Sequence, residues 1–299
     1  MAAISINNIT KMYGGESPVK ALQNINFEVN HGELFGLIGP DGAGKTSLFR
    51  ILATLLLPDK GSASIENLDV VNHYREIRNI LSYMPGKFSL YQDLTIKENL
   101  EFFAGLFGTT LDANYEFIKD IYVQIEPFKN RRAGQLSGGM KQKLALCCSL
   151  IHKPSILLLD EPTTGVDPVS RKEFWEMLRT LRNQNITTLV STPYMDEANM
   201  CDRIALIQNG QIMSINTPSG ILDQFPYRLF AIKSNNNYHL LQKLKDNSEI
   251  RSCYIFGEYL HITFQDNRPI EIHGTEMMEI KPGIEDCFIE LMDNGSNNN

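Results

Sequence analysis

At 299 residues, 42% of them hydrophobic and 21% charged, the chain has the make-up of a globular protein with one large domain and a smaller one. A formal net charge of −7 argues against a broad nucleic-acid-binding face, which needs clustered Lys and Arg, though not against a local basic patch. The five cysteines (Cys147, Cys148, Cys201, Cys253 and Cys287) have neither C-x-x-C nor metal-ligand spacing, which suits reduced, buried thiols in the cytosol. The opening MAAISINNIT lacks the basic end and apolar core of a secretory signal, and ILATLLLP falls far short of the ~20 residues that span a bilayer. Any membrane role must then come through a partner.

Ile4, Ile6 and Ile9, then Leu22, Ile25, Phe27 and Val29, predict two strands paired through the Gly14–Gly15 bend. ELFGLIG (33–39) reads as a buried strand, SLFRILATLL as a helix, and PDKG (58–61) as a turn before the strand SASI. NLEFFAGLFG (99–108) and NYEFIKDIYVQI (114–125) have helical spacing, whereas SILLLD (155–160) has the unbroken apolar character of a strand inside a parallel sheet. RKEFWEMLRTLRNQ is an amphipathic helix, ITTLVST the next strand, and RIALIQNGQIMSI a hairpin around Asn209–Gly210. Strand and helix alternate, which predicts an α/β core.

After TPSG (217–220) the pattern changes. YRLFAIK, the short helix YHLLQKLKD, and the strands SCYIF and YLHITF predict a small α+β domain over 217–292. Ile284, Cys287, Phe288 and Leu291 mark a closing amphipathic helix, and residues 293–299 are expected to be disordered.

GPDGAGKTS (39–47) stands between a strand and a helix, the context that gives a G-x-x-x-x-G-K-[ST] match its meaning. Gly39, Gly42 and Gly44 let the backbone curl so that its N–H groups turn toward a polyanion, and the helix presents its positive end to the same point. Lys45 would reach the β- and γ-phosphates and Thr46 would put its hydroxyl on Mg²⁺. The apolar strand SILLLDEP supplies the acidic half: Asp160 to hold Mg²⁺ through water, Glu161 to orient or deprotonate the attacking water. LSGGMKQKLALCC (136–148) adds a second anion site, with Ser137, Gly138 and Gly139 before a helix. One chain cannot easily bring it to the same phosphate.

With GPDGAGKT, LSGGMKQ, LLLDEP and TTGVDP in this order, the chain resembles the nucleotide-binding subunit of an ABC transporter over residues 3–216. The resemblance implies a P-loop NTPase of the ABC type over 1–216, with a helical subdomain at about 86–150, that binds ATP and Mg²⁺. In that family two such domains close head to tail, so the Leu136–Gly139 segment would complete a partner's site, with Asp167 touching the opposite site. Tyr13, in KMYG, matches the aromatic that stacks on adenine, and Gly39, Pro40, Asp41, Gly42, Ala43, Gly44, Lys45, Thr46 and Ser47 match the nucleotide loop.

Two family positions are filled differently. In LSYMPGKFSLYQDLTIKENL (81–100) the family's glutamine, which contacts Mg²⁺ and water and touches the membrane subunit, is replaced by Gly86, and Gln92 lies six residues on. After ITTLVST the family's γ-phosphate-contacting histidine is replaced by Pro193, which has neither a side-chain donor nor a backbone N–H. With Lys45, Thr46, Asp160 and Glu161 present, the expectation is ATP binding with slow or absent hydrolysis at this chain's own site. That favours a heterodimer with a better-equipped ATPase over a homodimer. The wording LYQDLTIKENL, TTGVDP and the C-terminal domain further resemble subunits paired with a separate export permease, peripheral on the inner face of the cell membrane. A regulatory subunit without hydrolysis is the alternative. A ribosome-acting ABC protein, which has two nucleotide domains in one chain, and a chromosome-maintenance ATPase, with a coiled coil between the two halves of its site, both fit less well.

Overall fold

The computed structural model describes residues 2–296 except Glu16, Asn183, Asp246, Glu271, His273 and Gly274, and only the backbone of 294–296. The chain divides into two compact units, Met1–Pro218 and Ser219–Asn299.

The first unit contains two sheets. Strands β1 (Ala2–Tyr13), β2 (Val19–Asn30), β4 (Lys60–Ile65) and β5 (Leu68–Asp69) form an antiparallel sheet in the order β2-β1-β4-β5. The apolar spacing in β1 lengthens from two to three between Ile6 and Ile9, yet both side chains are buried. A register shift accounts for this: between the pairs Ile6–Phe27 and Ile9–Ile25 two residues of β1 oppose the single Asn26 of β2, and one of the two, Asn8, adopts a left-handed backbone angle. The extra residue returns Ile9 to the inner face.

The second sheet carries the site. Its order is β10-β9-β3-β8-β7-β6, from β3 (Leu34–Ile38), β6 (Leu81–Met84), β7 (Ile156–Asp160), β8 (Thr187–Thr192), β9 (Arg203–Gln208) and β10 (Gln211–Asn216). All neighbours are parallel except β9 and β10. Every residue of β3, β7 and β8 is buried, as strands covered on both faces require. Parallel register brings Ile38 beside Thr192 and Asp160 beside Ser191, so the loops leaving these strands share one edge. In open α/β sheets that edge receives ligands.

Helices α1 (Lys45–Leu52), α2 (Tyr74–Ile80), α5 (Gly138–Leu150) and α6 (Pro168–Arg182) accompany this sheet, while α3 (Ile96–Leu106) and α4 (Leu111–Tyr122) pack with α5. Thr95 and Glu98 cap α3 reciprocally, and Thr110 and Ser137 cap α4 and α5. Among the described residues no helix is long and apolar enough to cross a membrane.

The second unit opens with the end of α7 (Pro218–Leu222). It then contains β11 (Leu229–Lys233), α8 (Asn237–Lys245), β12 (Ile250–Phe256), β13 (Tyr259–Phe264), β14 (Glu276–Ile280) and α9 (Ile284–Ser296). The antiparallel order β12-β13-β11-β14 inserts β13 between two strands that run the same way, a split βαβ arrangement. Phe230, Ile232, Leu260, Ile262, Phe264 and Leu244 form its core. Alternation turns His261 and Thr263 to the other face of β13. Helix α9 extends into the segment read as disordered: 293–296 continue its hydrogen-bonded ladder, because propagation adds a bond for each residue fixed. Residues 297–299 lie outside the described residues.

Candidate functional site

The loop from β3 to α1 is tied at both ends. Gly39 N–H donates to the carbonyl of Thr192 (3.2 Å), Ala43 N–H to that of Pro40 (3.2 Å), and Gly210 N–H to that of Ala43 (3.0 Å). Gly44 sits at the start of α1 with φ 105°, and a Cβ there would lie 2.3 Å from the Ala21 carbonyl oxygen. Only glycine meets both conditions. Asp41 and Gly42 are exposed at the loop tip.

Lys45 is turned back into the loop with its side chain 2% exposed. Its ammonium donates to the Gly39 and Pro40 carbonyls (2.7 and 3.0 Å) and lies 3.1 Å from Glu161 Oε1. Thr46 and Ser47 are half-buried, and Tyr13 Oη lies 3.2 Å from Ser47 Oγ. Ala21, Gly42, Gly44, Lys45, Thr46, Ser47 and Glu161 line an open cleft of about 160 Å³.

Of the acidic pair, Glu161 lines the cleft and Asp160, at the end of β7, is buried. Asp160, 2% exposed, accepts from Ser191 Oγ–H at Oδ1 (2.7 Å) and from Tyr83 O–H at Oδ2 (3.3 Å). Burial and the neighbouring Asp160 charge push the Tyr83 phenol up to about 12, so it remains a donor at neutral pH. Glu161 follows with φ 51°, a left-handed angle that costs a non-glycine residue energy. Its N–H, directed at Ser191 O (3.1 Å) and Oγ (3.0 Å), holds it there. Sequence reasoning missed Tyr83 and Ser191. Tyr83 lies in the segment whose pattern marks a glutamine position, and Ser191 stands in the sequence as an ordinary strand end.

The turn after β8 adds a second buried carboxylate. Glu197, 3% exposed, accepts from Thr163 Oγ1 (2.8 Å) and Thr192 Oγ1 (2.5 Å), with Arg171 Nε at 3.6 Å. Pro193 lies between Thr192 and Tyr194, whose N–H returns to Thr192 Oγ1 (3.1 Å). A Cβ on Gly86 would lie 2.9 Å from the Asp160 carbonyl oxygen and 3.6 Å from Glu161 Cβ, so this backbone stands against the acidic pair. Gln92 is elsewhere, its carbonyl bonded by Gly134 N–H (2.9 Å).

The segment at Ser137 is outside the cleft lining. Ser137 and Gly138 are exposed, Leu136 and Gly139 are buried, and Ser137 Oγ accepts the Met140 N–H (3.3 Å). Asp167 caps α6 through the Ser170 N–H (3.0 Å), which holds its carboxyl below the ordinary value. Gly138 faces the Gly165 carbonyl, so the Leu136–Gly139 and Gly165–Asp167 segments adjoin on one surface.

The cleft fits a hard divalent cation accompanied by phosphate. Thr46 and Asp160 would supply a hydroxyl and a carboxylate. Among the described residues no group of three or more His, Cys, Asp or Glu could hold a metal alone. Mg²⁺ commonly takes one or two protein ligands and completes its shell with phosphate and water.

A glycine loop at a strand-to-helix junction, a buried lysine and an acidic neighbouring strand end together define a P-loop NTPase of the α/β class. The family model described as ABC transporter matches residues 22–164. The Nod factor export ATP-binding protein I of Burkholderia lata is 36% identical over 300 residues, covering 97% of each chain. A probable multidrug ABC transporter ATP-binding protein of Escherichia coli, YbhF, is 38% identical over 303 residues, which cover 97% of this chain and 52% of that one. The chain thus spans about half the length of that relative. A solved ATP-binding cassette, dimeric in a post-hydrolysis state with ADP and Pi, superposes with a TM-score of 0.65 at 26% identity over 72% of this chain and 98% of its own. The chain belongs to the ABC transporter family as an ATP-binding protein.

Proposed function

We propose that this chain is the ATP-binding subunit of an export-type ABC transporter, binding Mg-ATP in the cleft at Lys45 and driving a separate membrane permease from the inner face of the cell membrane. The observation that carries the reading is the Lys45 ammonium, buried among two loop carbonyls and Glu161. A cation held there is positioned for a polyphosphate that displaces those weaker partners.

In this reading residues 1–216 form the nucleotide-binding domain, with a helical subdomain at about 86–150, and 217–292 form a small additional domain. Residues 39–47 cradle the phosphates and Tyr13 stacks on the base. Mg²⁺, held by Thr46 and through water by Asp160, would supply charge neutralisation at the β- and γ-oxygens. Water attacks the γ-phosphorus, the bond to the β–γ bridging oxygen breaks, Glu161 takes the water's proton, and ADP and phosphate leave. Leu136–Gly139 and Asp167 face a second ABC ATPase, a heterodimer being favoured over a homodimer. An apolar recess lined by Met84, Pro85, Leu90, Phe103 and Phe107 suits a docked segment of the permease. A relative named for Nod factor export supports the direction of transport.

Gly86 and Pro193 stand where the family carries glutamine and histidine, so hydrolysis at this site is slow. Loss of one well-placed donor to developing charge costs roughly 10²–10³ in rate. The test is a fluorescent-ATP titration and a phosphate-release assay on the purified chain. Binding with Mg²⁺ that Lys45→Ala weakens by about 10- to 100-fold, together with slow release, supports the reading. No binding at saturating Mg-ATP, or brisk turnover by the chain alone, overturns it.

A further inference from the structure

We propose that Ser191 is the positioning residue that sets both acidic groups of the cleft for a divalent cation, an assignment that rests on the reading of the cleft as a Mg-ATP site. One oxygen makes two contacts here. Ser191 Oγ donates to Asp160 Oδ1 (2.7 Å) and accepts the Glu161 N–H (3.0 Å). Ser191 is 0% exposed, so water cannot replace either partner, and the two contacts together fix the hydroxyl rotor.

Without that oxygen Asp160 would keep only the longer 3.3 Å bond from Tyr83, and the Glu161 N–H only the Ser191 carbonyl. The carboxylate could then turn about its terminal torsion, which is broad. Glu161, already at φ 51°, would lose one of the two acceptors that hold its N–H in an unfavourable backbone region. The adjacent hydroxyl cannot substitute, because Thr192 Oγ1 is committed to Glu197. The parallel register that sets Asp160 beside Ser191 puts the serine behind the acidic pair, where an outer group orients a metal-binding carboxylate.

A strand-end serine serving only to satisfy buried hydrogen bonds would affect stability and nothing else. The two roles separate in the metal dependence of nucleotide binding. MANT-ATP affinity is measured for the full chain in excess Mg²⁺ and in EDTA, and the ratio of the two dissociation constants reports the cation's contribution. Ser191→Ala is expected to leave the EDTA affinity unchanged and to shrink the Mg²⁺ advantage by about tenfold, the usual cost of losing an outer-shell partner.

Ser191→Cys is close in volume, and its thiol is a weak donor and acceptor. It is expected to shift the ratio the same way, and it decides the matter if the alanine variant does not fold. A wild-type ratio in whichever variants fold, even with a lowered melting temperature, overturns the assignment. Failure of the wild-type chain to bind MANT-ATP in either condition would instead remove the reading on which it rests.

Discussion

Lys45 and Glu161 face each other across the cleft with 3.1 Å between Nζ and Oε1, a cation 2% exposed against a carboxylate 22% exposed. A γ-phosphate entering the cleft therefore competes with the carboxylate for the ammonium, and the proposed base is held in reach of the proposed substrate.

This competition gives opposite outcomes for the two residues. Lys45→Ala removes a charge-assisted phosphate contact and should weaken Mg-ATP binding about 10- to 100-fold. Glu161→Gln removes the rival for the ammonium. It should tighten ATP binding by roughly two- to five-fold, the scale of a partly exposed ion pair, while phosphate release stops. Fluorescent-ATP titration and a phosphate-release assay check both.

Gly86 and Pro193 should not behave alike on substitution. Pro193→His adds a donor at a turn and should raise phosphate release roughly 10-fold or more. Gly86→Gln must first place a Cβ 2.9 Å from the Asp160 carbonyl oxygen, so alone it should give no gain and should lower the melting temperature. Equal gains from the two single variants would contradict the geometry.

His152 predicts an acid-side loss of stability. Burial pulls its imidazole down from 6.5 to about 4, and its ring stacks on Phe107 at 3.7 Å between centroids. Between those pH values the unfolded chain holds a proton on this residue that the folded chain does not. Stability contributed by His152 is therefore present above about pH 6.5 and is lost as the pH falls toward 4. Urea midpoints at pH 7 and pH 5 should differ more for the wild type than for His152→Gln.

In the second unit, Asp286 holds α9 to the sheet. Its carboxylate accepts from Tyr254 O–H (2.6 Å) and Gly283 N–H (2.6 Å), with His261 Nδ1 2.7 Å away. Burial raises its pKa, but these contacts outweigh burial and keep it below the ordinary value. Its contribution is thus complete above the unfolded carboxyl value and disappears as the pH falls through the lower folded one. Asp286→Ala should cost about 3 kcal/mol by leaving buried donors unpaired. Hydrogen exchange should show lost protection in α9 and none in α5.

How much was legible in the sequence follows from how local each feature is. The glycine loop before α1, the acidic end of β7 and the Ser137 cap each depend on residues within about ten positions of one another. Strand-to-helix context therefore sufficed to read them, as did the unbroken apolar runs of β3 and β7. Strand β14 has no such signal: EMMEI neither alternates nor runs apolar, and pairing with β11 makes it a strand.

Tertiary structure alone decided the rest. Ser191 reaches Asp160 across 31 positions and Tyr83 reaches it across 77, through the parallel order β6-β7-β8. The approach of Gly86 to the Asp160 backbone arises in the same way. Sequence pattern records which face of an element is apolar. It does not record which strands become neighbours, and in this cleft hydrogen bonds between neighbouring strands orient the acidic groups.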